Sequence, residues 1–299
     1  MMNLTLKQLR YVEALARHRH FGKAAEACAV TQPALSMQIK ELEDALGAPL
    51  FERNARQVRL TGFGEKFAAR IQDILRAVDE LSDLAKASRD RFAGTLRLGI
   101  IPTVAPYLLP SIIGRLTRDH PGLDIRVRET LTHALIRELA EGRLDAAVVA
   151  LPVSQPFLVE TALFSEEFLL VRAREDEGKP VPSPDMLQEM RLLLLEEGHC
   201  FRDQALSFCR LNTAPRDMLE ASSLSTLVQM VGSGIGVTLI PEMAAPVETR
   251  SAPVCVARFE APRPQRTIGM VWRKTSPLAD QLAEIAALVR EAAAAPTRG

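Results

Sequence analysis

Cysteine is scarce in this sequence, which has only four in 299 residues. Four cysteines do not form a disulfide scaffold in a chain of this size. With 47% hydrophobic residues, the chain has enough apolar material for substantial cores. We therefore expect a protein of the reducing cytoplasm, in which any disulfide is transient and regulatory.

The sequence also lacks net charge and long apolar runs. Its 37 Lys and Arg residues balance 37 Asp and Glu residues, which excludes a global electrostatic attraction to nucleic acid or to a membrane. Any contact with nucleic acid must then come from a local patch. Because no apolar run reaches about 18 residues, we expect no transmembrane span. The N-terminus lacks the charged and apolar regions of a signal peptide, and the length indicates two domains.

Residues 1–60 predict three helices and a small β-wing. Apolar residues at helical spacing indicate the first helix, and Ala24 and Ala25 give a short second helix a small-residue face. The third helix follows Thr31, a good N-cap, and has Pro33 in its first turn. Its start presents small and amide side chains, as a recognition helix in a major groove does. We predict DNA contacts from Gln32, Pro33, Ser36, Gln38 and Lys40 of this helix and from Arg53, Arg56 and Arg59 of the wing.

A three-helix packing module with ordinary surface arginines would show part of this pattern, but four further motifs occur in order. They are residues 21–25 (FGKAA), 31–36 (TQPALS), 42–47 (LEDALG) and 50–53 (LFER). In this order they resemble the winged-helix domain of LysR-type transcriptional regulators. The resemblance implies that double-stranded DNA is a partner.

A long helix is predicted after the wing, and its apolar residues follow a heptad pattern. Steps of four and three residues are typical of a coiled-coil seam, so we predict that this helix pairs with a second chain. The alternative is an amphipathic helix that lies on its own domain. The predicted seam consists of Phe67, Ile71, Ile74, Val78, Leu81 and Ala85.

From residue 95 onwards, predicted strands alternate with predicted helices, which indicates βαβ units and a mainly parallel sheet. Glycines in residues 232–236 do not have the spacing of a dinucleotide-binding loop and lead into a strand. Two α/β lobes joined by crossing strands are similar to the effector domain of LysR-type regulators, which resembles periplasmic binding proteins. We predict a winged helix-turn-helix DNA-binding domain (1–60), a dimerisation linker helix (61–93) and a two-lobed α/β effector domain (94–299).

Two of the four cysteines, Cys200 and Cys209, lie close together in sequence. His199 and Arg202 flank the first of them, and positive neighbours favour the reactive thiolate. If both cysteines lie on one helix, nine residues separate them by a rise of about 13.5 Å. A disulfide needs Cα atoms within roughly 7 Å of each other. Oxidation to a disulfide would therefore have to unwind the helix.

The residues alone leave four interpretations of this pair open: buried structural thiols, a zinc site, a catalytic oxidoreductase and a redox sensor. A zinc site needs more ligands at typical spacing, and an oxidoreductase more often has a C-x-x-C motif. A sensor needs one exposed reactive thiol and one resolving thiol. Cys28 and Cys255 have no such context, and we expect both to be structural. We expect neither a metal nor a cofactor.

Residues 198–204 (GHCFRDQ), followed by Cys209, resemble the peroxide-sensing segment of the OxyR-type subfamily of LysR regulators. The resemblance implies that hydrogen peroxide oxidises Cys200 and that Cys209 is its disulfide partner. It also implies a thiol environment of Phe201, Arg202 and Asp203, and peroxide binding by Thr103, Thr132, His199 and Arg266.

Ordinary roles of the supporting residues stay open: Thr132 as a helix cap, Arg266 in a salt bridge and His199 as a satisfied surface group. The leading interpretation is a cytoplasmic DNA-binding regulator, not an enzyme, that senses peroxide. Its implied partners are promoter DNA, RNA polymerase, a cellular thiol reductant and further copies of the chain in a tetramer of coiled-coil dimers. The alternatives are a regulator that binds a small metabolite between the lobes, and a thiol peroxidase or disulfide oxidoreductase.

Overall fold

The computed structural model describes residues 4–54, 57–87, 94–209 and 219–294. The chain divides into two compact units, Met1–Ala85 and Lys86–Gly299. Within the described ranges, every helix is too short or too polar to cross a bilayer.

The N-terminal unit consists of three helices, a two-stranded wing and most of a long helix. In chain order these are α1 (Leu6–His18), α2 (Phe21–Ala27), α3 (Gln32–Leu46), β1 (Phe51–Asn54), β2 (Gln57–Leu60) and α4 (Gly62–Ala87). Thr31 Oγ1 caps α3 by accepting a hydrogen bond from the Ala34 N–H at 3.4 Å. Gly47 ends α3 with a φ of +67°, a conformation that favours glycine. The predicted winged helix-turn-helix fold is confirmed.

The predicted heptad seam of α4 divides into two parts in the structure. Phe67 and Ile71 pack against the core of their own unit, as the alternative interpretation of this helix expected. Ile74 and Leu81, further along the helix, are exposed. The surface that pairing with a second chain requires is therefore confined to the later turns, and the pairing itself stays a prediction.

The second unit contains nine strands and seven α-helices within the ranges that the structure describes. They are β3 (Gly94–Ile100), α5 (Ala105–Asp119), β4 (Leu123–Glu129), α6 (Thr132–Ala140), β5 (Ala146–Leu151), β6 (Leu158–Ala173), α7 (Pro184–Glu189), β7 (Leu192–Leu195), α8 (Cys200–Phe208), β8 (Glu220–Ala221), α9 (Leu224–Gly232), β9 (Val237–Pro241), α10 (Ala245–Glu248), β10 (Val254–Arg258), β11 (Gln265–Arg273) and α11 (Ala279–Ala294).

These elements form two lobes, each with its own hydrophobic core. The first core is built mainly from β3, β5, α5, α6 and α11, and the second mainly from β7, β9, α8 and α9. Tyr107 of α5 packs against the second core, and its hydroxyl donates a hydrogen bond to Glu248 Oε1 of α10 at 2.6 Å. The predicted two-lobed α/β fold is confirmed.

One continuous sheet passes through both lobes in the order β4-β3-β5-β11-β6-β9-β7-β8, and β10 also pairs with β6. The outer pairs within each lobe are parallel, but β11 pairs antiparallel with β5 and β6, and β6 pairs antiparallel with β9. The prediction of a mainly parallel sheet is therefore wrong at the centre. There the 16-residue strand β6 pairs with β11 up to Glu167 and with β9 from Phe168 onwards.

The division of the α4 seam predicts different effects for two isoleucines on the same helix. Ile71 is 1% exposed and Ile74 is 45% exposed. We expect Ile71→Ala to lower the free energy of unfolding by about 2–5 kcal/mol at any protein concentration, because it leaves a cavity. At low concentration Ile74→Ala changes that free energy by no more than about 0.5 kcal/mol.

Denaturant unfolding followed by circular dichroism at several protein concentrations, together with sedimentation, measures both effects. The expected result for Ile74→Ala is weaker self-association. Equal losses of stability from the two variants at the lowest concentration would contradict the division of the seam.

Candidate functional site

Three of the residues implicated in peroxide binding come from segments that follow strands, and the fourth, Arg266, lies within β11. Thr103 follows β3, and Thr132 is the first residue of α6, just after β4. Because β3 and β4 are parallel neighbours, both segments leave the same edge of the sheet. In open α/β sheets, ligands bind outside the carboxyl ends of the strands. In the second lobe, α8 begins at Cys200, shortly after β7.

Cys200 lies where the two lobes meet. It is half-buried and packs against the core of the first lobe, whereas Phe201 belongs to the core of the second. Gly198, just before α8, has a φ of +94°, and a Cβ there would lie 3.0 Å from Leu131 Cδ1 of the first lobe. A larger residue at this position would therefore strain the backbone and crowd the contact between the lobes.

Arg266 is buried and joins the first lobe to the start of α8. Its Nη1 donates to Thr103 Oγ1 at 2.8 Å, and its Nη2 donates to the Thr103 carbonyl at 3.0 Å. The guanidinium carbon lies 5.2 Å from the centre of the Phe201 ring, within the range of a cation–π contact. Arg266 also forms a salt bridge with Glu166, as the ordinary interpretation of this residue expected, and its role in peroxide binding stays a prediction.

Two buried side-chain oxygens, one at the start of α6 and one in the middle of α8, lack a hydrogen-bond partner among the described residues. They are Thr132 Oγ1 and Gln204 Oε1. Leu131, not Thr132, is the N-cap of α6, so the interpretation of Thr132 as a helix cap is wrong. Gln204 was not singled out from the sequence, although its position four residues after Cys200 places both on one helix face.

Neither neighbour that the sequence suggested carries an unpaired positive charge beside Cys200, and a favoured Cys200 thiolate stays a prediction. His199 is largely buried, and this desolvation lowers its pKa below the usual value, although the Glu196 carboxylate acts in the opposite direction. At neutral pH the imidazole is therefore mostly uncharged. Buried Arg202 uses its Nη1 to contact the Leu195 carbonyl and Glu220 Oε1, both at 2.7 Å. Arg202 thus anchors α8 to β7 and β8.

Cys209 lies at the opposite end of α8, of which it is the C-cap. It is fully buried in the core of the second lobe, and burial raises the pKa of its thiol to about 11. All four cysteines are free thiols. Helical geometry separates Cys200 from Cys209 by about 13.5 Å along the axis, so a disulfide between them requires local unfolding.

The two other residues of the predicted thiol environment have different surroundings. Asp203 is exposed on α8, in contrast to Phe201, whose ring packs edge-to-face on Phe168 with centroids 4.9 Å apart. No group of three or more His, Cys, Asp or Glu side chains in the described ranges is arranged to hold a metal ion.

The predicted DNA-contacting residues lie on the outer face of α3 and on the wing. Leu35 and Ile39 are buried, which leaves the side chains between them outside the core. The amide of Gln38 donates to Glu41 Oε2 at 2.7 Å. Arg56 lies outside the described residues. Gln32, Pro33 and Lys40 are exposed, Ser36 and Gln38 are half-buried, Arg53 lies in β1, and Arg59 is exposed in β2.

Two family descriptions match the chain over most of its length. Residues 6–65 match the bacterial regulatory helix-turn-helix protein, lysR family, and residues 89–294 match the LysR substrate binding domain. A probable hydrogen peroxide-inducible genes activator from Streptomyces viridosporus is 45% identical over 297 residues, covering 96% of this chain and 94% of the relative. The DNA-binding transcriptional dual regulator OxyR of Escherichia coli K12 is 40% identical over 291 residues, covering 96% and 95%.

Solved structures of OxyR proteins are similar to the whole chain. A full-length OxyR cysteine-to-aspartate variant from Pseudomonas aeruginosa has a TM-score of 0.76 and 38% identity, covering 97% of this chain and 96% of that one. A hydrogen-peroxide-bound OxyR mutant from Corynebacterium glutamicum has a TM-score of 0.65 and 33% identity, covering 98% and 94%. The chain therefore belongs to the LysR family of transcriptional regulators and, within it, to the OxyR-type regulators that sense hydrogen peroxide.

Proposed function

We propose that the chain changes the expression of oxidative-stress genes when hydrogen peroxide links Cys200 and Cys209 in a reversible disulfide. One observation carries this proposal: two free thiols lie at opposite ends of one nine-residue helix, and the first of them lies where the two lobes meet. The disulfide therefore cannot form without a change of shape. The peroxide-bound relative supports the identity of the signal.

In the first step, the Cys200 thiolate attacks one oxygen of peroxide. A sulfur–oxygen bond forms, the oxygen–oxygen bond breaks, and the hydroxide that leaves takes up the proton that the thiol released. The sulfur of Cys200 loses two electrons and becomes a sulfenic acid, and peroxide gains the same two. Negative charge develops on the leaving oxygen, so fixed donors aimed at it lower the barrier. We assign this role to Arg266, Thr103, Thr132 and His199.

In the second step, Cys209 attacks the sulfenic sulfur. A sulfur–sulfur bond forms, the sulfur–oxygen bond breaks, and the hydroxyl leaves as water with the proton of the Cys209 thiol. Because burial raises the pKa of Cys209 to about 11, this thiol is protonated at neutral pH and does not compete with Cys200 for peroxide. The order of the two oxidations follows from that difference in burial.

Unwinding of α8 would disturb several contacts at once. Phe201 would leave its edge-to-face contact with Phe168, at the point where β6 changes partners. Arg202 would lose its contacts with β7 and β8. We infer that these losses change the relation between the chains of an oligomer, and hence the contact with DNA and RNA polymerase.

The same proposal assigns parts of the chain to its partners. Residues 1–60 bind promoter DNA through α3 and the wing, the later turns of the linker helix (61–93) pair with a second chain, and residues 94–299 sense the signal. A tetramer of two such dimers is the assembly we propose. A cellular thiol reductant in the cytoplasm returns the disulfide to the two thiols.

Removal of either thiol is expected to stop the switch at a different step. Cys200→Ser should abolish the response of DNA binding to peroxide, because no thiolate is left to attack it. Cys209→Ser should stop at the sulfenic acid of Cys200. Peptide mapping by mass spectrometry after a brief, low dose of peroxide, with a DNA-binding assay on the same samples, distinguishes these states.

Two results would contradict the disulfide mechanism. One is recovery of both thiols unlinked in the wild-type chain while DNA binding still changes. The other is a normal response in Cys200→Ser, which would favour a metabolite between the lobes as the effector.

Peroxide consumption separates a sensor from a thiol peroxidase. We expect each chain to consume about one peroxide per switching event, because the Cys200–Cys209 disulfide is a stable product. A peroxide electrode measures this stoichiometry on the pre-reduced chain after free thiol has been removed. Rapid multiple turnover on later addition of a thiol donor would instead indicate an enzyme.

The buried Cys209 thiol predicts a loss of stability at alkaline pH. Its folded pKa, about 11, exceeds the value of about 8.5 for an unfolded cysteine, so the stabilisation is fully present below the unfolded value. As the pH rises from about 8.5 toward 11, the unfolded thiol ionises first and the folded state loses stability. Between about pH 8.5 and 11, the melting temperature of the wild-type chain should therefore fall more steeply than that of Cys209→Ser, with both measured under reducing conditions. Parallel pH profiles would contradict the prediction.

A further inference from the structure

A buried carboxylate, Glu166, lies directly behind Arg266. Glu166 is on β6 and Arg266 on β11, and the two residues are partners in the register of these antiparallel strands. Glu166 Oε1 accepts a hydrogen bond from Arg266 Nε at 2.9 Å and forms an ion pair with Arg266 Nη2, which lies 2.8 Å away. Its Oε2 accepts from the Met243 N–H at 3.0 Å, just after β9. Both oxygens are therefore held, and the carboxylate is fixed between a crossing strand and the second lobe.

This arrangement fixes the direction of the remaining Arg266 donors. A guanidinium carries its five N–H groups in one rigid plane. With Nε held by Glu166 and Nη2 shared between Glu166 and the Thr103 carbonyl, Nη1 faces the Thr103 side, where it donates to Oγ1 at 2.8 Å. The pair also has no net charge, so Arg266 supplies oriented donors to the Thr103 side and not an uncompensated positive charge.

We propose that Glu166 is a positioning residue for the oxidation of Cys200, acting through Arg266. It orients the guanidinium so that a donor already faces the oxygen on which charge develops. The inference rests on the proposed function, because it presupposes that Cys200 reacts with peroxide. Without Glu166, the buried Arg266 would lack its counter-ion and would turn toward other acceptors.

Glu167, the next residue of β6, provides a matched control. It pairs with Arg258 Nη1 at 2.6 Å and with Arg263 Nη1 at 3.0 Å, on the opposite face of the strand. These partners are half-exposed, and Arg258 also pairs with Glu242; among the described residues neither arginine forms a hydrogen bond or ion pair with Thr103, Glu166 or Arg266. Glu167→Gln therefore removes a charge and two salt bridges from the same strand but leaves the hydrogen bonds and the ion pair of Arg266 in place.

The experiment measures how fast Cys200 reacts with two electrophiles, hydrogen peroxide and iodoacetamide. It uses the reduced full-length chain that carries Cys209→Ser, alone and in combination with either Glu166→Gln or Glu167→Gln. Peroxide needs the donors around its leaving oxygen, whereas iodoacetamide alkylates the thiolate without them. We expect Glu166→Gln to slow oxidation of Cys200 by peroxide by about tenfold or more. Alkylation should be unchanged or faster, and its pH profile should move to lower pH, because Arg266 has lost its counter-ion. Glu167→Gln should change neither rate by more than about twofold.

A second variant keeps the inference testable if Glu166→Gln does not fold. Glu166→Asp preserves the neutral pair but withdraws the carboxylate by one methylene, so we expect about a fivefold slower reaction with peroxide at an unchanged alkylation rate. Equal slowing of both reactions, or a wild-type peroxide rate in the folded Glu166 variants, would overturn the positioning role. A wild-type chain that reacts with peroxide no faster than free cysteine would instead contradict the proposed function itself.

Discussion

The rise of one helix separates the two thiols on which the proposed switch depends. Cys200 and Cys209 lie at opposite ends of α8, which is held by burial of Phe201 and Ala205 and by the contacts of Arg202. Burial of one large apolar side chain contributes about 1.5–3 kcal/mol. A disulfide that closes a loop of about ten residues stabilises the cross-linked chain by a similar amount, because it lowers the conformational entropy of the unfolded chain. Because the opposing terms are comparable, oxidation can unwind the helix and reduction can restore it.

The electrostatics around Cys200 depend on oriented hydrogen-bond donors more than on net positive charge. His199 is mostly neutral at neutral pH, Arg202 is engaged with β7 and β8, and Arg266 is neutralised by Glu166. A net positive cleft would activate the thiolate toward every electrophile. A cleft of fixed donors favours a reagent whose leaving atom is an oxygen, because only there does charge develop in front of the donors. Under the proposed mechanism, this arrangement would give the half-buried Cys200 thiol a preference for peroxide over oxidants with other leaving atoms.

Local features of the fold were predictable from the sequence, and long-range ones were not. Helices α1 to α3 and the wing follow from apolar spacing and from caps such as Thr31, which act within one or two turns. The thiol pair and its helix follow in the same way. The partner of Arg202 could not be predicted, because neighbours in sequence need not be neighbours in space. The pairing of Glu166 with Arg266 requires the register of two strands 100 residues apart, and no local pattern encodes it.

The crossing strands explain how an event at one cysteine can reach both lobes. Phe201 packs on Phe168, the first residue of β6 that pairs with β9 instead of β11. Arg266, on β11, contacts Thr103 of the first lobe and the ring of Phe201. A shift of Phe201 therefore acts on β6 and on Arg266 at the same place, where the sheet passes from one lobe to the other. No chain of intermediate residues is needed to couple Cys200 to both lobes, because the thiol lies next to the strands that join them.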